Sequence, residues 1–159
     1  SNGLGVRTSL FVSGCTHKCR GCFNEEAQDF NYGEEFTEET IETILKSIEP
    51  GYISGLSLLG GEPAEIPNQK ALLPLLRQFK ERFPKKNIWC YTGYTYETDL
   101  LDKNGKARCE ATDEFLSYID ILVDGEFDQD LYDISLKFRG SSNQRLLQIQ
   151  KEGCPELVI

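Results

Sequence analysis

No stretch of the sequence approaches 18 consecutive apolar residues, so a membrane-spanning helix is excluded. The longest apolar runs, such as Leu10-Phe11-Val12, are the size of strands. Positive charge is scarce too. Seventeen basic residues stand against 26 acidic ones, a formal net charge of -9. That field opposes a phosphate backbone, so neither nucleic acid nor a membrane is an expected partner. Internal repeats and low-complexity segments are absent, and no signal-peptide pattern opens the chain. What remains is globular composition: 159 residues, 39% apolar and 27% charged, the size of a single domain spanning residues 1–159.

Six cysteines would suffice for a disulfide framework, but the chain is larger than most disulfide-stapled domains. Their spacing divides them. Cys15, Cys19 and Cys22 crowd into eight residues, whereas Cys90, Cys109 and Cys154 stand far apart. The first group reads as a metal or cluster site, the second as buried small side chains. A reducing, cytoplasmic compartment follows as the expected home.

Thr8 to Ser13 reads as a buried strand, apolar and β-branched, and the cysteine loop follows directly. Thr37 before Glu38-Glu39-Thr40 has the pattern of a helix start. Ile41, Ile44, Leu45 and Ile48 continue at helical spacing until Pro50-Gly51. Ile53 to Leu59 predicts a second strand, ended by Gly60-Gly61-Glu62-Pro63. Asn68 is the candidate cap of the next helix, with Leu72, Leu75, Leu76 and Phe79 on one side. Pro74 inside that span implies either a later start or a bend. Further strands are expected at Asn87–Thr92, Ile119–Val123 and Leu146–Ile149, with a short helix over Asp113–Tyr118.

Strand and helix alternate at the interval of a mostly parallel α/β sheet. Four to six strands are too few for a closed eight-stranded barrel, which takes about 250 residues. A small, open β/α barrel fits better. The cysteine loop, the Gly-Gly-Glu-Pro turn, Thr92-Gly93 and Asp124-Gly125 each follow a strand. Ligands of α/β sheets bind at that edge.

The loop Cys15-Thr16-His17-Lys18-Cys19-Arg20-Gly21-Cys22 has the spacing C-x3-C-x2-C. Three thiolates on a short loop can converge on one centre of soft character: zinc, copper(I) or an iron–sulfur cluster. Three readings stay open on the residues alone: a cluster with one open iron, a structural zinc site closed by His17, or cysteines that bind no metal. Gly60-Gly61-Glu62-Pro63 is open in the same way. It is an ordinary turn, or a place where a ligand approaches the main chain and an ammonium group meets Glu62 and exposed carbonyls.

Together these motifs resemble the radical S-adenosylmethionine (SAM) superfamily. Cys15, Cys19 and Cys22 match its C-x3-C-x2-C signature, and Gly60-Gly61-Glu62 its SAM-amino motif. The stretch from Asn2 to Cys15 is similar to the opening of the glycyl-radical activating enzymes. Cys15 to Asn24, Trp89 to Tyr94, Leu122 to Phe127 and Arg139 to Gln144 look like the subgroup serving anaerobic (class III) ribonucleoside-triphosphate reductase. Two positions depart from the common pattern: Gly21 stands where many members have an aromatic, and Leu4 where a proline is frequent.

The resemblance implies a [4Fe-4S] cluster on Cys15, Cys19 and Cys22, with SAM chelating the fourth iron. One electron from the reduced cluster splits SAM into methionine and a 5'-deoxyadenosyl radical. That radical takes a Cα hydrogen from a glycine of the reductase's large catalytic subunit. A one-electron donor such as flavodoxin or ferredoxin is implied. Gly60, Gly61 and Glu62 would receive the SAM amino group, Thr92 and Gly93 its methionine or ribose part, and Asp124 its ribose hydroxyls. Arg139, with Ser141, Ser142 and Asn143, would meet SAM or the partner's glycine loop. Arg7 would balance a carboxylate or the cluster, or form a structural ion pair. His17 is expected near the cluster but not on it, since ligation would block SAM. Cys90 is expected in the core, facing away from Trp89 and Tyr91. The competing functions are an activase for a pyruvate formate-lyase-type enzyme and a non-enzymatic zinc module.

Overall fold

The computed structural model of the chain describes residues 3–14, 17, 35–149 and 156–157. Its first strand, β1 (Val6–Val12), starts two residues earlier than the sequence pattern suggests. Helix α1 (Glu38–Ile48) begins where expected, because Thr37 and Thr40 cap each other reciprocally. Thr40 N donates to Thr37 Oγ1 at 3.3 Å, and Thr37 N donates to Thr40 Oγ1 at 3.2 Å. Ile41, Leu45 and Ile48 form its buried face.

Strand β2 (Ile53–Gly60) is followed by α2 (Ile66–Arg82), and here the sequence reading needs correcting. The helix starts before Asn68, with Pro67 in its first turn, where a missing N–H leaves no bond unmade. Asn68 does not cap it. Its Nδ2 donates instead to Ser13 O and Glu62 O, both at 2.9 Å. The helix also runs through Pro74, which leaves the Lys70 carbonyl without a helical donor. Leu72, Leu75, Leu76 and Phe79 are all buried on this helix, each contributing about 1.5–3 kcal/mol, and that outweighs the lost bond.

Strand β3 (Asn87–Tyr91), a π-type turn over Tyr96–Leu101, helix α3 (Thr112–Ser117) and strand β4 (Ile121–Asp124) come next. Strands β1 to β4 lie side by side in chain order, all parallel. Two antiparallel strands, β5 (Arg145–Gln148) and the short β6 (Glu156–Leu157), extend the sheet beyond β4. The fold is thus α/β with a mostly parallel sheet. Among the described residues, no helix is long and apolar enough to cross a membrane.

The main core lies on one face, where the buried sides of α1, α2 and α3 meet Leu56, Leu58, Ile88, Cys90, Leu122 and Leu147. Cys90 is fully buried there, as its place in the strand predicts. Trp89 points the other way, into a second cluster with Val123 and Leu146 that Tyr91, Ile121 and Phe138 border.

Gly60 closes β2 at φ +110°, a backbone region that side chains avoid. A Cβ there would stand 2.6 Å from Val12 O and 2.7 Å from Val12 N. These are main-chain atoms of the paired strand, so they cannot yield without breaking the ladder. Gly60→Ala is expected to lower stability by about 3 kcal/mol or more, read as a shift of the denaturant midpoint. The close approach that this glycine permits is therefore to β1.

Candidate functional site

Four parallel strands bring four connecting segments to one edge, and main-chain bonds stitch them together there. Gly61 N donates to Val12 O and Glu62 N to Gly14 O, each at 2.7 Å. Thr92 N donates to Val123 O at 2.8 Å, and Gly125 N to Tyr94 O at 3.0 Å. Gly14, Gly61-Glu62, Thr92 and Gly125, each just past a strand, therefore share a rim.

Glu62 is the hub of that rim and is only 1% exposed. Its Oε1 accepts from Gly93 N at 2.6 Å and lies 2.8 Å from His17 Nε2. Its Oε2 accepts from Ala64 N at 2.9 Å. Both oxygens are engaged by the protein itself. Three partners, from the segments that follow β1, β2 and β3, converge on one carboxylate.

His17, the chain's single histidine, has a side chain only 5% exposed. Its Nδ1 lies 2.8 Å from Glu126 Oε1, on the far side from Glu62. A carboxylate at each nitrogen favours the imidazolium form, in which both nitrogens donate. Burial lowers its pKa, but the hydrogen bonds and charges of Glu62 and Glu126 outweigh burial, and the net shift is upward. The ring packs edge-on against Tyr94, centroids 4.3 Å apart. It also fills the space above Gly93, where a Cβ would sit 2.8 Å from Nε2 and 2.9 Å from Cδ2. Gly93→Ala is therefore expected to push the imidazole off Glu62 and cost about 1–3 kcal/mol in apoprotein stability, read by urea titration.

The other expected site residues are close by but committed to bonds of their own. Thr92 is 4% exposed, and its Oγ1 accepts from Tyr94 N at 3.1 Å. Asp124, 1% exposed, accepts from Arg145 Nε at 2.9 Å, Arg145 Nη2 at 2.6 Å and Tyr96 N at 2.8 Å. Arg145 in turn bonds Glu97 at 2.7 Å. Arg139 Nη1 donates to Gln144 O at 3.2 Å. Its motif folds back on the segment after β4: Asn143 Nδ2 donates to Glu126 O at 2.8 Å and Gln144 Nε2 to Gly125 O at 3.0 Å. Arg7 makes no carboxylate pair among the described residues. It donates to Ser57 Oγ, Leu56 O, Asn87 O and Leu4 O and lies over the Trp89 ring, and burial lowers its pKa to about 10.

Sequence reasoning missed Glu126, Tyr94 and Asn68 as parts of this rim. Glu126 directly follows a strand-ending Asp-Gly, which was the available signal; its pairing with His17, 109 residues away, leaves none.

Cys15, Cys19 and Cys22 lie outside the described residues. The donor set nevertheless fits an iron–sulfur cluster, because three cysteines at this spacing supply soft thiolates. Among the described residues, both nitrogens of His17 lie on carboxylates, those of Glu62 and Glu126. Cys90 is sealed in the core, and Cys109 Sγ faces Gln69 Oε1 at 3.7 Å.

A family model described as a 4Fe-4S single cluster domain matches residues 1–147. The chain is 42% identical over 148 residues to the anaerobic ribonucleoside-triphosphate reductase-activating protein of Pasteurella multocida, covering 90% of this chain and 87% of that one. To the protein of the same name from Escherichia coli it is 41% identical, covering 90% and 88%. To that of Enterobacteria phage T4 it is 39% identical, covering 91% and 85%. No solved structure matches.

Proposed function

Because the chain belongs to the anaerobic ribonucleoside-triphosphate reductase-activating proteins, with a 4Fe-4S single cluster domain, we propose that it generates the glycyl radical of that reductase. The cluster and SAM supply the chemistry: one electron cleaves SAM to methionine and a 5'-deoxyadenosyl radical, which becomes 5'-deoxyadenosine on taking the glycine Cα hydrogen.

The protein's own share is placement. Cys15, Cys19 and Cys22 hold the cluster, and the single observation that carries this is the occupied state of His17, the other soft donor on the loop. The Gly60-Gly61 main chain receives the SAM amino group. Glu62 shapes that turn through Gly93 and Ala64. Thr92 and Gly93 border the SAM methionine or ribose, while Asp124 and Arg139 brace the β4 side of the rim. Helices on a single face of sequentially ordered parallel strands support an open, partial β/α barrel of the radical SAM type, a single domain over residues 1–159. A flavodoxin or ferredoxin serves as electron donor. The reaction runs in the reducing cytoplasm, without nucleic acid or membrane, in keeping with the net charge and the need for free thiolates.

The names of the relatives favour the reductase over a formate-lyase target, and the 4Fe-4S domain weighs against a zinc module. The test is electron paramagnetic resonance after mixing reduced protein and SAM with either the anaerobic reductase or a formate lyase. A glycyl radical on the reductase is expected. A radical on the lyase alone, or a colourless anaerobic preparation with one zinc per chain, would overturn the reading.

A further inference from the structure

We propose that His17 is a positioning residue: its imidazole, clamped between Glu62 and Glu126, ties the cysteine-bearing segment to the ends of β2, β3 and β4. The inference rests on the iron–sulfur reading above and adds a device to it. Two residues of backbone span at most about 7 Å, and His17 is two residues from Cys15 and two from Cys19. Whatever fixes the imidazole therefore restricts where those two thiols can stand.

The clamp is built from independent directions. On its buried side, Glu62 Oε1 meets the ring at 2.8 Å while also holding Gly93 N at 2.6 Å. On its outer side, Glu126 Oε1 meets the ring at 2.8 Å, and the Glu126 carbonyl is in turn held by Asn143 Nδ2 at 2.8 Å. The Tyr94 ring supports one edge of the imidazole, and Tyr94 is itself anchored by its hydroxyl on Glu65 at 2.7 Å. Gly93 leaves the gap the ring occupies. An apolar side chain would anchor a loop without any buried carboxylate. A two-ended polar clamp fixes direction as well as depth, and direction is what three thiolates converging on one cluster need.

The test compares anaerobically reconstituted wild type with His17→Ala, His17→Gln and Glu126→Ala. Two quantities are read: iron release to a chelator without SAM, and the SAM-induced change in the paramagnetic resonance spectrum of the reduced cluster. His17→Ala is expected to release iron about tenfold faster or more and to lose most of the SAM-induced change. His17→Gln, whose amide N–H reaches the Nε2 position, should recover much of both by restoring the bond to Glu62. Glu126→Ala removes only the outer end, from a side chain 54% exposed, so it tests the clamp without endangering the fold; the same shifts, smaller, are expected. Wild-type iron release and spectra in both His17→Ala and Glu126→Ala would overturn the proposal, as would a Gln variant no better than Ala. A wild type that takes up no [4Fe-4S] cluster would overturn the functional reading itself, a result visible before any variant is compared.

Discussion

Anaerobically reconstituted Cys19→Ser protein is expected to hold well under the wild type's iron and to cleave SAM at no more than about one hundredth of its rate. The scale follows from known outer-shell effects: removing a group that merely supports a ligand costs about 10- to 100-fold, so removing a ligand costs at least the upper end. Serine is isosteric, but its hydroxyl is a hard donor that stays protonated near neutral pH, whereas the cluster needs soft thiolates. The fold should survive. Among the described residues, the main core is built from the sheet, from α1, α2 and α3, and from the segment between β3 and β4. The denaturant midpoint of the apoprotein should therefore move by less than about 0.5 kcal/mol. Cys90→Ala is the mirror experiment. That thiol is fully buried against the helices, so its loss should cost about 1–2 kcal/mol and leave the iron content unchanged. Undiminished SAM cleavage by Cys19→Ser, or lost iron in Cys90→Ala, would reverse the assignment of ligands.

The burial of Cys90 was legible in the sequence, since strand alternation is a local pattern. The same holds for α1, whose start is set by Thr37 and Thr40 three residues apart, and for the strand ends that gather at one edge. Local pattern misled at α2. Asn68 has the chemistry of a cap, and Pro67 at the first turn was the better start signal, but Pro74 drew attention to a break that core packing overrides. The real partners of Asn68, Ser13 O and Glu62 O, depend on how β1 and β2 meet. The rim has the same logic. Glu62, Asp124 and His17 were each found by position in the chain, because each follows a strand or sits among the cysteines. Their bonds to Gly93, Arg145 and Glu126 span 31, 21 and 109 residues and exist only once the strands of the sheet, parallel and antiparallel, have aligned. A sequence shows which side chains reach the edge, and the register of the strands decides which of them spend their hydrogen bonds on one another.

Glu62→Gln carries the largest expected effect on the rim itself. The carboxylate accepts at both oxygens: Gly93 N and His17 on Oε1, Ala64 N on Oε2. Glutamine is nearly the same shape but has one acceptor oxygen and an NH2 group. If its oxygen faces Gly93 and His17, the NH2 confronts the Ala64 N–H. If the amide turns over, the NH2 confronts both of the others. Either way a buried donor loses its partner, at about 1–3 kcal/mol for each, and His17 loses the charge at its buried end. Apoprotein stability is expected to fall by about 2–4 kcal/mol in a urea titration, and SAM binding to weaken with it because the Gly60-Gly61 turn is no longer pinned. Glu126→Gln, at the exposed end, keeps an acceptor for the ring and should cost less than about 1 kcal/mol. The comparison separates two roles for Glu62. A carboxylate that mainly received the SAM ammonium would leave the apoprotein's midpoint unchanged on mutation and raise only the SAM concentration needed for cleavage. A carboxylate that organises the rim must lower the midpoint before any SAM is added, and the three donors already on it require the second outcome.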